Sequence, residues 1–541
     1  MHPPAAAWRA QLNKIDPLLL LFLILLLNVK LVVKLLALAL VCLLRPHFRF
    51  GFREGRLPLF YPAIIGLAVI GALVNGSFGA PNYGYAFATG IAFWGAALLA
   101  IHQLKGFTER NSDARLHRTL LVFFVLNALV SWGTLAGIIL ETGALNPYRY
   151  QGDFQKYFIN TGDHIRGLSF DTSTTNAAIN AAAVLYFYGR RHWWPMALCL
   201  GTLLLAGSNL VNAALLGCFV FLFCFRSDRT QKSILAGCCL PMIVFWARVS
   251  PQNNDYIGKI LSGTLGVSRP HAPAAKPVPI WERPDSSLTS DERRQKRARL
   301  YLDSLGSGIL QELRTAPPAP AVSATLAAVA EKPALPEANI HTAPYQHKDD
   351  TSTERRQWMQ FAATALPAAT AAAPAPSRLP GKLRALQQTA SHLAAHPALL
   401  LFGAGTGRWS SKLAFRATGL RIAGAYPQRL TYIDPAFREG HLALHLSYFT
   451  RSEYLHSVIH TPNSVYDQLA GEYGLPGVAA FLLLYAGFFL RKWRRLTYGL
   501  SLLLLASVLI GTDYWFEQLS LLPLLELLLF LDLKTTAHDA A

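Results

Sequence analysis

Long apolar runs dominate this sequence and restrict the folds that are open to it. Residues 16–44 are almost all leucine, valine and alanine, and as one helix rising 1.5 Å per residue they would extend roughly 40 Å. The hydrocarbon core of a bilayer is only ~30 Å thick, so this run is too long for one comfortable crossing. Asn28, Lys30 and Lys34 interrupt it. We therefore predict two short helices that meet near Asn28, with a single long, tilted helix as the alternative.

Ten further apolar runs bring the predicted number of transmembrane helices to about twelve. They cover residues 58–76, 85–104, 119–140, 173–189, 193–206, 208–225, 233–248, 474–490, 496–511 and 515–533. The stretch 193–225 is divided at Gly207-Ser208-Asn209, which is a turn signal. Only 15% of the residues are charged, against about 25% in a soluble domain. The sequence thus predicts an all-α polytopic membrane protein.

Lysine and arginine are concentrated in alternate loops, and this pattern predicts the orientation. The basic loops are 45–57, 105–118, 190–192, 226–232 and 491–495. The loops without lysine or arginine are 77–84, 207–209 and 512–514. The positive-inside rule places the basic loops, and with them both termini, in the cytoplasm. The basic loops account for much of the net charge of +19, so we predict membrane lipids rather than nucleic acid as partners.

The same pattern divides the chain into three parts. Residues 1–248 form a predicted N-terminal bundle of about nine helices, and residues 474–541 form about three more and a short cytoplasmic tail. Residues 249–473, between the ninth and tenth helices, are predicted to be one large loop outside the cytoplasm.

This large loop is not uniform in composition. Residues 286–314 resemble an amphipathic basic helix, whereas residues from about 315 to 380 are rich in alanine and proline. Such an insert cannot bury enough apolar surface to fold on its own. Folded structure is predicted again from Lys382 onward, with a helix to about His396 and then a glycine-rich turn after Leu399–Phe402.

Polar and titratable residues are concentrated between His456 and Gly477, directly before an apolar helix. Pro462 ends any regular element that precedes it, and Asn463 or Ser464 can cap the helix that follows. These side chains are therefore expected at a membrane surface, where an enzyme would meet a lipid-linked substrate. A simple interfacial helix start with an aromatic belt is the alternative interpretation.

Three segments, together with the twelve-helix topology, resemble the O-antigen ligase and O-antigen polymerase superfamily. They are Arg166–Asn176, Leu401–Gly407, and Asn463-Ser464 followed after nine residues by Gly474-Leu-Pro-Gly477. The last segment is similar to the family pattern His-[Asn/Ser/Gln]-x9-Gly-x-x-Gly. The resemblance covers most of the chain outside the insert rich in alanine and proline.

The resemblance implies an inverting glycosyltransferase at the periplasmic face of the bacterial inner membrane. The donor would be a glycan on undecaprenyl pyrophosphate, and the acceptor a sugar hydroxyl of lipid A-core or of another glycan. No cofactor is implied. Ligase, chain polymerase and protein O-glycosyltransferase share this chemistry, so the sequence does not separate them.

The position of the family's histidine, which is usually regarded as activating the acceptor hydroxyl, is occupied by Asn463 in this chain. An amide cannot serve as a general base near neutral pH. His460 and His456 lie three and seven residues upstream, and either reaches the same point if the turn at Pro462 folds back. We therefore predict His460, His456 and Asn463 as the catalytic residues.

The leaving pyrophosphate of such a reaction is anionic, and the planar, permanently charged guanidinium of arginine suits it. Arg166 and Arg408 are the favoured candidates because they lie beside matched segments; pairing with headgroups or nearby acids is the alternative for each. The predicted substrate-binding residues are Arg166, Arg408, Arg416, Arg421, Asn176, Tyr466 and Glu472.

Two other motifs could indicate a metal site or a nucleotide-binding loop. His441-x-x-x-His445 and His456-x-x-x-His460 have a spacing that could offer two metal ligands on a helix. Carboxylate and cysteine partners are sparse, so no metal site is predicted. Gly403-x-Gly405-x-Gly407 is not part of a βαβ unit, and we predict a tight turn there rather than a nucleotide-binding loop.

Two other classes of protein stay open. A transporter or flippase of lipid-linked or polar solutes is disfavoured because the sequence shows no internal repeat and few ionisable residues within the helices. A non-catalytic polysaccharide-assembly protein remains an alternative because of Asn463.

Overall fold

The structure is a computed structural model that describes residues 14–46, 48–142, 145–146, 165–249, 379–419, 426–448 and 458–539. Every regular element in these ranges is helical. The basic helix predicted at 286–314 lies outside them, as does the predicted insert 315–380 apart from its last two residues.

The first apolar run forms two helices, α1 (Pro17–Leu26) and α2 (Leu31–Leu44), which confirms the predicted break near Asn28. Asp16 caps the start of α1 with its carboxylate. The same carboxylate lies 3.4 Å from the guanidinium of Arg45, at the end of α2. Because the outer ends of both helices meet, α1 and α2 form an antiparallel hairpin.

Seven helices follow in the N-terminal part. They are α3 (Phe60–Val74), α4 (Tyr83–Arg110), α5 (Asp113–Thr142), α6 (Ser173–Gly189), α7 (Trp193–Leu205), α8 (Asn209–Phe225) and α9 (Arg229–Val244). The turn predicted between α7 and α8 is present, and Gly207 adopts a φ of 70° in it. Together with the hairpin, nine α-helices are described between residues 14 and 249.

Nine α-helical segments are described in the C-terminal part, and two of them, Val465–Ala480 and Gly487–Leu490, are joined by a π-helical segment and numbered together as α14. The helices are α10 (Gly381–Ala395), α11 (Pro397–Phe402), α12 (Lys412–Ala417), α13 (Leu442–Tyr448), α14 (Val465–Leu490), α15 (Gly499–Ile510), α16 (Trp515–Gln518) and α17 (Leu521–Asp539). The helix predicted from Lys382 to about His396 is confirmed.

Two boundaries in the C-terminal part are marked by residues with a positive φ. The helical run Val465–Leu490 is kinked at Gly474, whose φ is 66°, so its second part begins at the residue where the sequence predicted a helix to start. The run 515–533 was predicted as one helix, but it is broken by Leu519, whose φ is 54°. A left-handed residue cannot continue a right-handed helix, so α16 and α17 are separate.

Four helices are long and apolar enough to cross a membrane: Tyr83–Arg110, Asp113–Leu140, Arg229–Arg248 and Val465–Leu490. Six shorter apolar helices accompany them. Helices α6 and α17 are buried on nearly all sides and therefore lie at the centre of the bundle. This architecture is consistent with a helical membrane protein.

The loops that the sequence analysis assigned to the cytoplasm meet at one end of the bundle. There, a guanidinium nitrogen of Arg190 lies 2.5 Å from a carboxylate oxygen of Asp113, and a guanidinium nitrogen of Arg56 lies 2.9 Å from a carboxylate oxygen of Glu109. At the opposite end, the Val29 N–H donates to the Ser169 carbonyl at 2.8 Å. The polar segments described next lie at this second end.

Candidate functional site

The glycine-rich segment between α11 and α12 is a tight turn packed against α14. The N–H groups of Ala404 and Gly405 donate to the carbonyls of Gly471 and Glu472 at 2.8 and 3.0 Å. Gly403 has a φ of 64°, and a Cβ on it would lie 2.2 Å from the Glu472 carbonyl oxygen. Only glycine fits this close approach of two backbones.

The buried side chain of Glu472 also holds the glycine-rich turn in place. Its carboxylate is buried and accepts hydrogen bonds from the Gly407 N–H at 2.8 Å and the Ser411 hydroxyl at 2.5 Å. Burying a carboxylate requires such donors because desolvation is otherwise very costly. Glu472, predicted to bind substrate, is therefore positioned to hold the glycine-rich turn.

Arg408 projects from the glycine-rich turn to a neighbouring segment. Its Nε lies 2.7 Å from Asp434, and its terminal nitrogen donates to the Ser77 hydroxyl at 2.5 Å. The guanidinium carbon lies 5.8 Å from the centre of the Tyr83 ring. These contacts fasten three parts of the chain together, and the predicted role of Arg408 in substrate binding stays a prediction.

Lys382, at the start of α10, joins the turn before α14 to the loop after α15. Its ammonium donates to the Thr461 hydroxyl at 3.1 Å, to the Thr512 carbonyl at 2.9 Å and to the Asn463 carbonyl. Burial of the ammonium lowers the pKa of Lys382 to about 7, while the Asp513 carboxylate acts in the opposite direction. The sequence analysis did not identify this residue.

Asn463 faces a carboxylate that the sequence analysis also missed. Its amide donates to Oδ1 of Asp513 at 3.2 Å. The Tyr514 N–H donates to the same oxygen at 2.7 Å, and the Gln518 amide donates to Oδ2. Asp513 is half-buried on the loop between α15 and α16.

The other predicted catalytic and binding residues in this part of the chain lie at different places. His460 is buried, and its Nδ1 lies 3.4 Å from the Gly381 N–H. Burial lowers the pKa of His460, so its imidazole is neutral at pH 7. The Tyr466 hydroxyl donates to the Ser507 carbonyl at 2.7 Å, so this side chain faces α15. His456 and Arg421 lie outside the described residues.

Asn176 anchors the segment that carries Arg166. Its amide donates to the Ile165 carbonyl at 2.8 Å and to the Ser131 hydroxyl at 3.0 Å. Its oxygen accepts from the Asn127 amide at 2.9 Å. Asn176 is completely buried and holds this segment in place, and its predicted role in substrate binding stays a prediction.

A third missed residue, Lys34, connects the Arg166 segment with the rest of the site. It is only 2% exposed, and its ammonium donates to the Gln518 carbonyl and the Ser520 hydroxyl. Its electrostatic partners are Asp171, Lys412, Arg416 and Asp513. A lysine within an apolar run is a signal that could have identified it.

Arg416 belongs to the same charged cluster. Burial lowers the pKa of Arg416, and the carboxylates of Glu517 and Asp513 oppose this effect. The cluster therefore combines cations and carboxylates around the loop 511–520. Of the three segments that carried the family resemblance, the one at Asn463 contacts this loop directly, through Asp513. The segment at Asp171 reaches it only through Lys34. The glycine-rich segment reaches it only through Glu472, which interacts electrostatically with Glu517.

A pair of histidines lies deeper in the same region. His441 is completely buried, with Nε2 3.3 Å from an Asp467 oxygen. The ring of His445 stacks on Phe415 with centres 4.7 Å apart. Within the ranges that the structure describes, no group of three or more histidine, cysteine, aspartate or glutamate side chains is arranged to hold a metal ion.

No protein-family model, curated protein or solved structure matches this chain.

Proposed function

We propose that this protein is a membrane glycosyltransferase that moves a glycan from an undecaprenyl-pyrophosphate donor to an acceptor sugar hydroxyl. The observation that supports the proposal is the charged cluster around the loop 511–520, where Asn463 contacts Asp513 and Lys34 contacts Gln518 and Ser520. These residues come from parts of the chain that are far apart in sequence. An apolar helical bundle with a charged cluster at one end suits a substrate that has a lipid tail and a diphosphate.

The charged cluster supports the chemistry of this reaction. As the bond to the leaving diphosphate breaks, negative charge develops on it, and fixed cations stabilise that charge. Lys412 and Arg416 supply such cations from α12, and the buried Lys34 interacts electrostatically with both. Arg166 is retained as a fourth candidate because Asn176 anchors its segment.

The proposal includes a membrane arrangement. About twelve helices would cross the bacterial inner membrane, with both termini in the cytoplasm. The charged cluster would then lie at the periplasmic face, where lipid-linked glycans are presented. The acceptor would be either lipid A-core or another glycan chain.

The polysaccharide profile of a strain lacking the protein tests the proposal. Loss of all glycan-capped core indicates a ligase, and collapse of a ladder to single repeats indicates a polymerase. The wild-type gene and a Lys30→Gln variant should restore the profile because Lys30 is exposed. Lys34→Gln, one turn away, should not restore it. An unchanged profile in the deletion strain would contradict the proposal.

A transporter of lipid-linked solutes is the second candidate, and one observation favours it. Glu526 is 1% exposed within α17. It accepts hydrogen bonds from the hydroxyls of Tyr61 at 2.5 Å and Tyr485 at 3.0 Å. Carboxyl groups buried among apolar helices often mark transport pathways. If a labelled lipid-linked glycan moved across protein-containing vesicles without any transfer to an acceptor, this candidate would be preferred.

A further inference from the structure

We propose that Asp513 is the general base that takes the proton of the acceptor hydroxyl. This inference rests on the proposed glycan transfer and assigns the role that Asn463 cannot perform. It is carried by the hydrogen bonds, the exposure and the charged neighbours of this one carboxylate.

The hydrogen bonds of Asp513 leave room for one more donor. A carboxylate offers about four lone-pair positions. Oδ1 accepts from the Asn463 amide and the Tyr514 N–H, whereas Oδ2 accepts from the Gln518 amide. Among the described residues, one position on Oδ2 is therefore left for an acceptor hydroxyl. The three donors also fix the plane of the carboxylate, as a general base requires.

Basic side chains lie around Asp513. Lys34, Lys382 and Arg416 each interact electrostatically with it, and they come from three separate parts of the chain. The proposed base and the cations of the charged cluster therefore belong to one site.

Accessibility separates Asp513 from the buried alternatives. Asp513 is half-buried on a loop at the end of the bundle. His441 and Asp467 form a close pair, but both are completely buried. A group in contact with substrate must be reachable, and this condition favours Asp513.

Asn463 then acquires a definite role as a positioning residue. Its amide cannot accept the proton. It donates a hydrogen bond to Oδ1, and Oδ2 is the oxygen that faces the acceptor hydroxyl. The reaction would proceed as the acceptor oxygen forms a bond to the anomeric carbon. The bond from that carbon to the diphosphate oxygen breaks, its electron pair leaves with the lipid diphosphate, and the acceptor proton passes to Oδ2 of Asp513.

The direct test is the Asp513→Asn variant, which keeps the shape but cannot take the proton. The purified variant in lipid nanodiscs should show a kcat at least ~10²-fold lower, since general-base catalysis contributes ~10²–10⁴. The KM for an undecaprenyl-diphosphate-linked glycan should stay within about twofold, because donor binding does not need the base. Asp228→Asn, at the start of α9, is the matched control and should behave as wild type.

The pH profile separates a chemical role from a structural one. In the wild type, the pH profile of kcat should have an acidic limb that is absent in Asp513→Asn, because the variant has no carboxylate to take the proton. Titration of Lys382 would act on the alkaline side instead. If Asp513→Asn does not accumulate, Asn463→Ala carries the test: its kcat should fall about tenfold with an unchanged donor KM.

The outcomes distinguish this inference from the function on which it rests. If the wild type is active and Asp513→Asn is fully active too, the assignment of the base is wrong and the proposed function stands. The same conclusion follows if kcat is lost only in His460→Ala. Wild type that transfers no glycan to any acceptor overturns both proposals.

Discussion

At the scale of single residues, Glu472 shows how one buried carboxylate can determine the shape of a segment. It was singled out for substrate binding because it is a charged residue beside an apolar helix. The structure shows that it accepts hydrogen bonds from the glycine-rich turn. The sequence marks such a residue as unusual, but only the fold shows which groups it faces.

Substitution of Glu472 tests this structural role. Glu472→Ala leaves the Gly407 N–H and the Ser411 hydroxyl without an acceptor, which costs ~1–3 kcal/mol for each buried group. Glu472→Gln keeps an acceptor oxygen and should be clearly less destabilising. Thermal unfolding in detergent measures both. Equal melting temperatures for wild type and Glu472→Ala would show that these hydrogen bonds do not stabilise the fold.

His445 provides a prediction about pH. Burial lowers the pKa of His445 well below its ordinary value of 6.5, and neighbouring His441 and Lys382 add to this effect. Below pH 6.5 the unfolded chain therefore binds a proton that the folded chain does not. Stability should fall with decreasing pH by up to ~1.4 kcal/mol per pH unit from this residue.

The His445→Phe variant isolates that contribution. Phenylalanine keeps a ring to stack on Phe415 but cannot be protonated, so the melting temperature of this variant should fall less between pH 7 and 5.5. Identical slopes for wild type and His445→Phe would refute the prediction.

At the scale of elements, the approach of the glycine-rich turn to α14 depends on Gly403. A methyl group there would collide with the Glu472 carbonyl, and the positive φ adds ~1–2 kcal/mol of strain for any other residue. Gly403→Ala should therefore lower both the melting temperature and glycan transfer. In Gly95→Ala nothing lies within 4 Å of the new Cβ, and its helical position should leave both quantities unchanged or slightly raised. Similar behaviour of the two variants would mean that the turn is not tightly packed.

The elements also show where sequence reasoning succeeds. Polar interruptions within apolar runs predicted the α1–α2 hairpin and the α7–α8 turn, because such residues favour chain reversal over continued helix. The break at Leu519 was missed, since leucine rarely adopts a positive φ and carries no turn signal. Lys382 and Asp513 were missed for a related reason: their partners come from segments remote in sequence.

At the scale of the whole molecule, the alternation of basic loops with loops free of lysine and arginine predicts which end of the bundle faces the cytoplasm. Single cysteines replacing Ser323 and Ser377 in a cysteine-free background should react with a membrane-impermeant maleimide in intact spheroplasts. Both positions belong to the predicted outer loop, 249–473. A cysteine at Ser112, in a basic loop, should be protected until the membrane is opened. The opposite labelling pattern would reverse the orientation and place the charged cluster in the cytoplasm.

The central claim is tested most directly by reconstituted transfer. Purified protein in nanodiscs would be supplied with a fluorescent glycan on undecaprenyl diphosphate, together with lipid A-core or a glycan repeat as acceptor. The account predicts one labelled acceptor molecule for each undecaprenyl diphosphate released, and a loss of both products in Lys34→Gln. Folded protein that binds the donor but yields neither product with either acceptor would contradict it.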